Sequence, residues 1–137
     1  AGARVAIFTA DHERPQIETL LDAIPDTQRI DLTGKTTLPT ATACLRRCAL
    51  FIGNDSGLMH MAAASGAPTL GLFGPSRVEH YAPWGPNTAW VRTTESYDEL
   101  IGVPGYDHRT TGTLMDGLSI DAAEEAAIKL WRRVDAS

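Results

Sequence analysis

The sequence predicts an α/β fold in which a parallel sheet carries helices on both faces. Short apolar runs alternate with amphipathic or small-residue stretches along most of the chain, and this alternation is typical of right-handed strand–helix–strand crossovers. Two of the runs, Ala49–Gly53 and Thr69–Phe73, are almost entirely apolar, as expected of strands that are covered on both faces. The 137 residues are enough for a single domain with a sizeable core.

Three strands and two helices are predicted in the first part of the chain. Strands are expected at Val5–Thr9 and Arg29–Leu32, ahead of the run Ala49–Gly53. The first helix is predicted over Pro15–Ile24, because proline is favoured at the first helical position. The second is predicted over Leu38–Cys48, where apolar residues recur at helical spacing.

The second part of the chain continues the alternation and ends in a long helix. A helix of small residues is predicted over Leu58–Ser65, stopping at Gly66, and a further strand over Ala89–Arg92. The stretch Gly102–Gly117 has no periodicity and is rich in Gly, Thr and Asp, so we expect a surface loop. Ser119 is expected to cap the closing helix, whose acidic residues come early and basic residues late, as the helix dipole favours.

Composition argues against nucleic-acid and membrane-spanning functions. The net charge is −5, whereas nucleic-acid binding requires clustered Lys and Arg. No apolar run approaches the roughly 18 residues that cross a bilayer, and no signal sequence is recognisable. We therefore expect a cytoplasmic protein with at most peripheral association with the inner face of the membrane. Because the chain begins with Ala1 rather than Met, we also expect it to be a fragment.

The two cysteines, Cys44 and Cys48, are four residues apart on the second predicted helix and therefore share one face. A disulfide between consecutive turns would constrain little, and no second pair is present to complete a zinc site. We expect buried thiols in a reducing compartment, and neither a metal nor a cofactor.

Candidate binding residues cluster where the predicted strands end. Ligands of open parallel sheets bind beyond the carboxyl ends of the strands. Those ends are Thr9–Glu13, Thr33–Thr36, Asn54–Gly57 and Gly74–Arg77. They are rich in glycines, hydroxyl groups and carboxylates, which suits a phosphorylated ligand because backbone N–H groups must approach it closely.

The segment Asp55–Gly74 gives the clearest functional signal. Its first residues, Asp55, Ser56 and Gly57, lead directly into a helix whose first N–H groups lack intrahelical partners and carry the positive end of the dipole. His60 lies on the first turn, within reach of the same anion. Taken singly, Asp55 or Ser56 is an ordinary N-cap and His60 a partly buried histidine. In one continuous segment they favour a phosphate site.

Several motifs carry a resemblance to a known family. They are Asp55–Ala64, Gly66–Thr69, Leu72–Ser76, Leu32–Leu38, Trp84–Pro86, and Leu114-Met115 followed by Ile120. Together they closely resemble glycosyltransferase family 9, the lipopolysaccharide heptosyltransferases and their relatives. The last motif is similar to that family's Cys-Met…Ile ending, with the cysteine absent.

The resemblance implies a three-layer, Rossmann-like domain that forms the carboxyl-terminal half of a GT-B fold and binds a nucleotide diphosphate sugar, often ADP-heptose. It implies that Ser56, Gly57, Leu58 and His60 lie at the diphosphate. Asp55 is expected to orient the loop, since two anions would repel each other.

Further contacts are implied on both sides of the diphosphate. Glu13 resembles an acidic residue that receives ribose hydroxyls, although an exposed carboxylate ahead of a helix explains it equally well. The backbone of Lys35 and Thr36 is expected along the edge of adenine. Gly74, Pro75 and Ser76 are expected beside the diphosphate or the sugar.

The implied reaction is a metal-independent, inverting transfer of a sugar to lipopolysaccharide or another glycan or lipid-linked acceptor. Positive groups stabilise the departing nucleotide diphosphate, while the other domain supplies the acceptor and a carboxylate base. That domain and a lysine-bearing loop of the donor domain are not among these residues. We therefore expect no catalytic residue here and no transfer by this chain alone.

Two alternatives compete with this interpretation. A receiver domain would use Asp11 and Asp55 at strand ends, but it also needs a lysine after its last strand, and Val91–Thr94 contains none. A non-catalytic nucleotide-binding or assembly module of the same fold stays open as an alternative, because a donor site can be retained after catalytic activity is lost.

Overall fold

The computed structural model describes residues 2–107 and 111–136. The chain divides into two compact units, residues 1–44 and 45–137. Each unit contains a parallel sheet with connecting helices, which confirms the predicted α/β class.

The first unit is built on a two-stranded parallel sheet. Strand β1 (Val5–Ile7) pairs with β2 (Arg29–Asp31). A 3₁₀ turn, Asp11–Glu13, follows β1 and leads into helix α1 (Arg14–Ala23). Proline lies at the start of α1, as predicted, because its missing N–H has no partner there in any helix.

Helix α2 (Leu38–Leu45) is shorter than predicted. The expected end at Cys48 is wrong, because the Cys48 N–H bonds to the Leu45 carbonyl oxygen at 2.9 Å in a tight turn that leaves the helix. The two cysteines therefore do not share one helical face. Their thiols are partly buried rather than buried, whereas Leu45 is fully buried.

The second unit is a three-stranded parallel sheet with β4 in the centre. Its strands are β3 (Phe51–Asn54), β4 (Thr69–Phe73) and β5 (Thr88–Arg92). Its helices are α3 (Gly57–Ala64), α4 (Val78–Tyr81), α5 (Tyr97–Ile101) and α6 (Ile120–Asp135). Helix α3 connects β3 to β4 and packs on both, and α6 packs on β4 and β5.

Burial along the strands differs from the prediction in one place. Strand β4 is buried almost throughout, as expected of a covered central strand. Strand β3 is not covered on both faces: Phe51 packs against the buried cluster of Met59, Phe73 and Val78, but Ile52 is 49% exposed. Successive side chains of a strand point to opposite faces, so α3 covers only the Phe51 face of β3.

The helix boundaries of the second unit follow local sequence signals. Gly66 lies just after α3 and has φ +88°, a left-handed conformation that prevents the helix from continuing. Ser119 caps α6 as predicted, because its hydroxyl oxygen accepts the Ala122 N–H at 3.1 Å. Helices α4 and α5 were not predicted, since 4 and 5 residues are too few to show a helical period. Within the described ranges, no helix has the length and hydrophobicity needed to cross a membrane.

Candidate functional site

The turn from β3 into α3 presents open backbone. Ser56 is the N-cap of α3, and its hydroxyl oxygen accepts the Met59 N–H at 3.3 Å. The N–H groups of Gly57 and Leu58 come too early in the helix to bond within it. Gly57 is exposed, and a Cβ atom placed there would meet nothing within 4 Å. An anion therefore has access to the first amides of α3.

Asp55 and His60 face each other across this turn. The Asp55 Oδ1 and His60 Nε2 atoms are 3.6 Å apart, and the two side chains are 23% and 47% exposed. At this distance the carboxylate and the imidazole interact electrostatically, and the interaction holds the ring on the side of the helix start. The role of Asp55 in orienting the loop for a ligand stays a prediction.

An open pocket of about 280 Å³ lies within the second unit, at the carboxyl ends of β3 and β4. The lining residues are Asn54, Asp55, Leu72, Gly74, Pro75, Ser76, Tyr106, Thr111, Gly112, Thr113, Leu114 and Met115. The pocket thus brings together Asp55 with Gly74, Pro75 and Ser76 from the predicted set. Ser56, Gly57, Leu58 and His60 continue directly from Asp55 along α3.

Sequence reasoning missed the wall of this pocket. Tyr106 and the segment 111–115 line it, whereas that region was expected to be a plain surface loop. The stretch shows no periodicity in sequence, and Leu114 and Met115 lie against Gly74, the residue after β4. The Leu114-Met115 motif was the available signal, although nothing local indicated which part of the fold it contacts.

The remaining predicted residues lie in the first unit. One oxygen of Glu13, Oε2, accepts the Thr9 hydroxyl at 2.5 Å and the Ala10 N–H at 3.0 Å. Lys35 donates from Nζ to the Asp31 carbonyl oxygen at 3.0 Å. Glu13 is therefore more than an exposed carboxylate ahead of a helix, since it closes the turn after β1. Contacts of Glu13, Lys35 and Thr36 with a ligand stay predictions.

Replacing Thr9 by valine should raise the pKa of Glu13 toward its ordinary value. The Thr9 hydroxyl, followed by the Ala10 amide, holds that pKa low, because both donate to the ionised form. Because the folded-state pKa is lowered, ionised Glu13 stabilises the fold at pH values above its ordinary pKa of about 4.3. This stabilisation is lost as the pH falls through the folded-state pKa. Thr9→Val should therefore weaken the acid dependence of stability.

The measurement is an NMR pH titration of the Glu13 carboxyl carbon. Thr19→Val on the exposed face of α1 is the matched control, and it should leave the Glu13 titration unchanged. An unaltered Glu13 curve in Thr9→Val would show that the hydroxyl does not lower the pKa.

Among the residues that the structure describes, no group of three or more His, Cys, Asp or Glu side chains is placed to hold a metal ion.

Comparison with known proteins identifies the family. Residues 1–100 match the family model described as glycosyltransferase family 9 (heptosyltransferase). The chain is 35% identical over 105 residues to lipooligosaccharide heptosyltransferase 2 of Haemophilus influenzae, covering 74% of this chain and 30% of that relative. This chain belongs to glycosyltransferase family 9.

Solved structures support the same fold. The glycosyl transferase family 9 structure from Veillonella parvula aligns with TM-score 0.79 and 26% identity over 96% of this chain and 37% of that one. The E. coli ADP-heptose lps heptosyltransferase II aligns with TM-score 0.75 and 23% identity, over 96% of this chain and 37% of that one. The predicted Rossmann-like fold of GT-B type is confirmed. The chain spans only 30% of the Haemophilus relative's length and 37% of either solved chain.

Proposed function

We propose that these residues form the donor-binding domain of an inverting glycosyltransferase. Its donor is a nucleotide diphosphate sugar of the ADP-heptose type, and its acceptor is lipopolysaccharide or another glycan. The observation that carries the proposal is the open start of α3, which adjoins a pocket at the carboxyl ends of β3 and β4. Parallel α/β sheets bind phosphorylated ligands at this edge.

The diphosphate is assigned to the first turn of α3. The amides of Gly57 and Leu58 supply donors at the positive end of the helix dipole. His60 supplies a further donor, and Asp55, whose Oδ1 lies 3.6 Å from His60 Nε2, keeps the imidazole oriented. These groups would stabilise the negative charge that develops on the leaving nucleotide diphosphate, which is the main demand of the reaction.

The guanidinium of Arg77 is paired with residues outside the proposed diphosphate site. Its Nη2 atom donates to Asp98 Oδ1 at 3.1 Å, and its guanidinium lies 4.5 Å from the centre of the Tyr97 ring. Both partners belong to α5. His60 therefore has the larger part in our assignment of side-chain donors to the diphosphate.

The names of two relatives support the proposed donor class. One solved neighbour is titled an ADP-heptose heptosyltransferase, and the curated relative is named a lipooligosaccharide heptosyltransferase. We propose that the acceptor domain and its carboxylate base lie outside these 137 residues. The complete protein would act in the cytoplasm, with at most peripheral contact with the inner face of the membrane.

Calorimetric titration of the full-length protein with ADP, ADP-heptose and UDP-sugars tests the proposal. We expect saturable binding of ADP and ADP-heptose, and sugar transfer only when the acceptor domain is present. No saturable binding of any nucleotide would contradict the proposal. Binding of ADP without transfer to any acceptor would instead indicate a non-catalytic module. A steady-state assay that detects transfer by the 137-residue chain alone would contradict the proposal that the acceptor domain and its base lie outside these residues.

A further inference from the structure

Gly74 is the residue where the end of β4 touches the segment 111–115. A Cβ atom on Gly74 would lie 2.7 Å from the Leu114 carbonyl oxygen and 2.7 Å from Met115 Sδ, whereas unstrained carbon contacts are about 3.5–4.0 Å. Gly74 is not among the glycines with positive φ. Glycine is therefore required here for the close approach of the segment and not for its backbone conformation.

The same segment carries hydroxyl groups that line the pocket. Thr111 Oγ1 accepts the Asp107 N–H at 3.2 Å, and Thr113 Oγ1 accepts the Met115 N–H at 3.3 Å. Because each hydroxyl oxygen is used as an acceptor, each hydroxyl hydrogen can still be donated to a ligand. Apolar groups of Leu72 and Met115 lie in the same lining. This mixture fits a sugar, which has both hydroxyl groups and apolar C–H faces.

The charge and the size of the pocket also favour a sugar. Among the described residues that line the pocket, only Asp55 is charged at neutral pH. A phosphate inside the pocket would meet this carboxylate, whereas a neutral polyhydroxyl group meets no repulsion. The volume of about 280 Å³ is at the lower end of the range for ligand pockets, about 300–1,000 Å³. It suits one sugar-sized group better than a complete nucleotide sugar.

We infer that the segment 111–115 is the wall against which the transferred sugar packs, and that Gly74 is the positioning residue that sets this wall. The inference rests on the proposed function, because it assigns one end of the same donor. It adds a contribution from the region after α5, and it makes the contact between Gly74 and Leu114 a determinant of donor affinity.

Gly74→Ala in the full-length protein provides the first test. The new methyl group must push the wall away from β4, so binding of ADP-heptose should weaken about tenfold. Binding of ADP, which has no sugar beyond its diphosphate, should change by less than about twofold. Equal weakening of both ligands would overturn the assignment of the wall to the sugar.

Gly71→Ala is the matched control. Gly71 lies in β4, three residues before Gly74, and its Cβ would also crowd a methionine, at 2.7 Å from Met59 Sδ, and the Phe73 ring at 2.6 Å. These contacts are in the core rather than at the pocket wall. Gly71→Ala should lower Tm and leave the ratio of ADP-heptose to ADP affinity unchanged. A change in that ratio as large as in Gly74→Ala would show that the effect is one of general destabilisation.

Hydrogen exchange without ligand separates this inference from the proposed function. If no nucleotide binds to the wild-type protein, the proposed function fails, and the sugar assignment fails with it. The positioning role is still tested, because the amides of residues 113–115 should exchange faster in Gly74→Ala than in Gly71→Ala. Equal exchange in the two variants would overturn the role of Gly74. A Gly74→Ala, Met115→Ala double variant should lose less donor affinity than the sum of the single variants, and additive losses would contradict the contact.

Discussion

His60→Ala should weaken ADP binding to the full-length protein by about 1–3 kcal/mol, the cost of losing a hydrogen bond to a charged group. That loss corresponds to roughly a 5- to 150-fold higher Kd. The effect is expected to be large because His60 lies on the first turn of α3, where its imidazole and the helix dipole would act on the same proposed anion. The measurement is calorimetric titration with ADP at neutral pH.

A second histidine provides the control for this prediction. His80 is exposed on the short helix α4, with its ring edge-on to Tyr81 at 6.2 Å, and His80→Ala should leave the Kd for ADP unchanged. Asp55→Asn should weaken binding by less than His60→Ala, because it removes the orienting charge and leaves the donor in place. If His60→Ala and His80→Ala bind ADP equally well, His60 has no part in the phosphate site.

Phe73→Ala should lower the free energy of unfolding by about 3–5 kcal/mol, the cost of a large core truncation and its cavity. Phe73 is fully buried and forms one core cluster with Met59 and Val78. Met59 belongs to α3 and Val78 to α4. The cavity would therefore weaken the packing of α3 against the core, next to the proposed phosphate site. Urea denaturation followed by circular dichroism measures the loss.

Trp84→Ala is the control for size without burial. Trp84 is 88% exposed, so its removal should change the free energy of unfolding by no more than about 0.5 kcal/mol. If Phe73→Ala costs as little as Trp84→Ala, then the cluster of Phe73, Met59 and Val78 does not support the fold of this unit.

The elements predicted from sequence are those whose signals are local. Strand β4 has the predicted bounds, Thr69–Phe73, because a short apolar run between Pro68 and Gly74 fits little else. The N-cap Ser119 is where the sequence predicts it, and Ser56 is one of the two residues, with Asp55, that the sequence offers as the cap of α3, since a cap bonds to amides only a few residues ahead. The end of α2 and the coverage of β3 were wrong, because both depend on what the chain contacts next.

The same distinction between local and distant signals applies to the candidate site. The start of α3, with Asp55, Ser56 and His60, is continuous in sequence and was predicted as one segment. The wall at 111–115 comes from residues far along the chain, and Gly74 alone gives no indication that Leu114 and Met115 fill its missing side chain. A contact between distant segments leaves no periodic trace in either of them.

The sequence by itself determined the α/β class, the capped start of α3 and the family, because hydrophobic period, capping residues and motif spacing are properties of consecutive residues. Only the tertiary structure decided which strands are covered, where α2 ends and what encloses the pocket beside Asp55. Those features arise from packing between segments that are distant in the chain. The helix start that the sequence indicates thus acquires a pocket of about 280 Å³ only when residues 111–115 pack against Gly74.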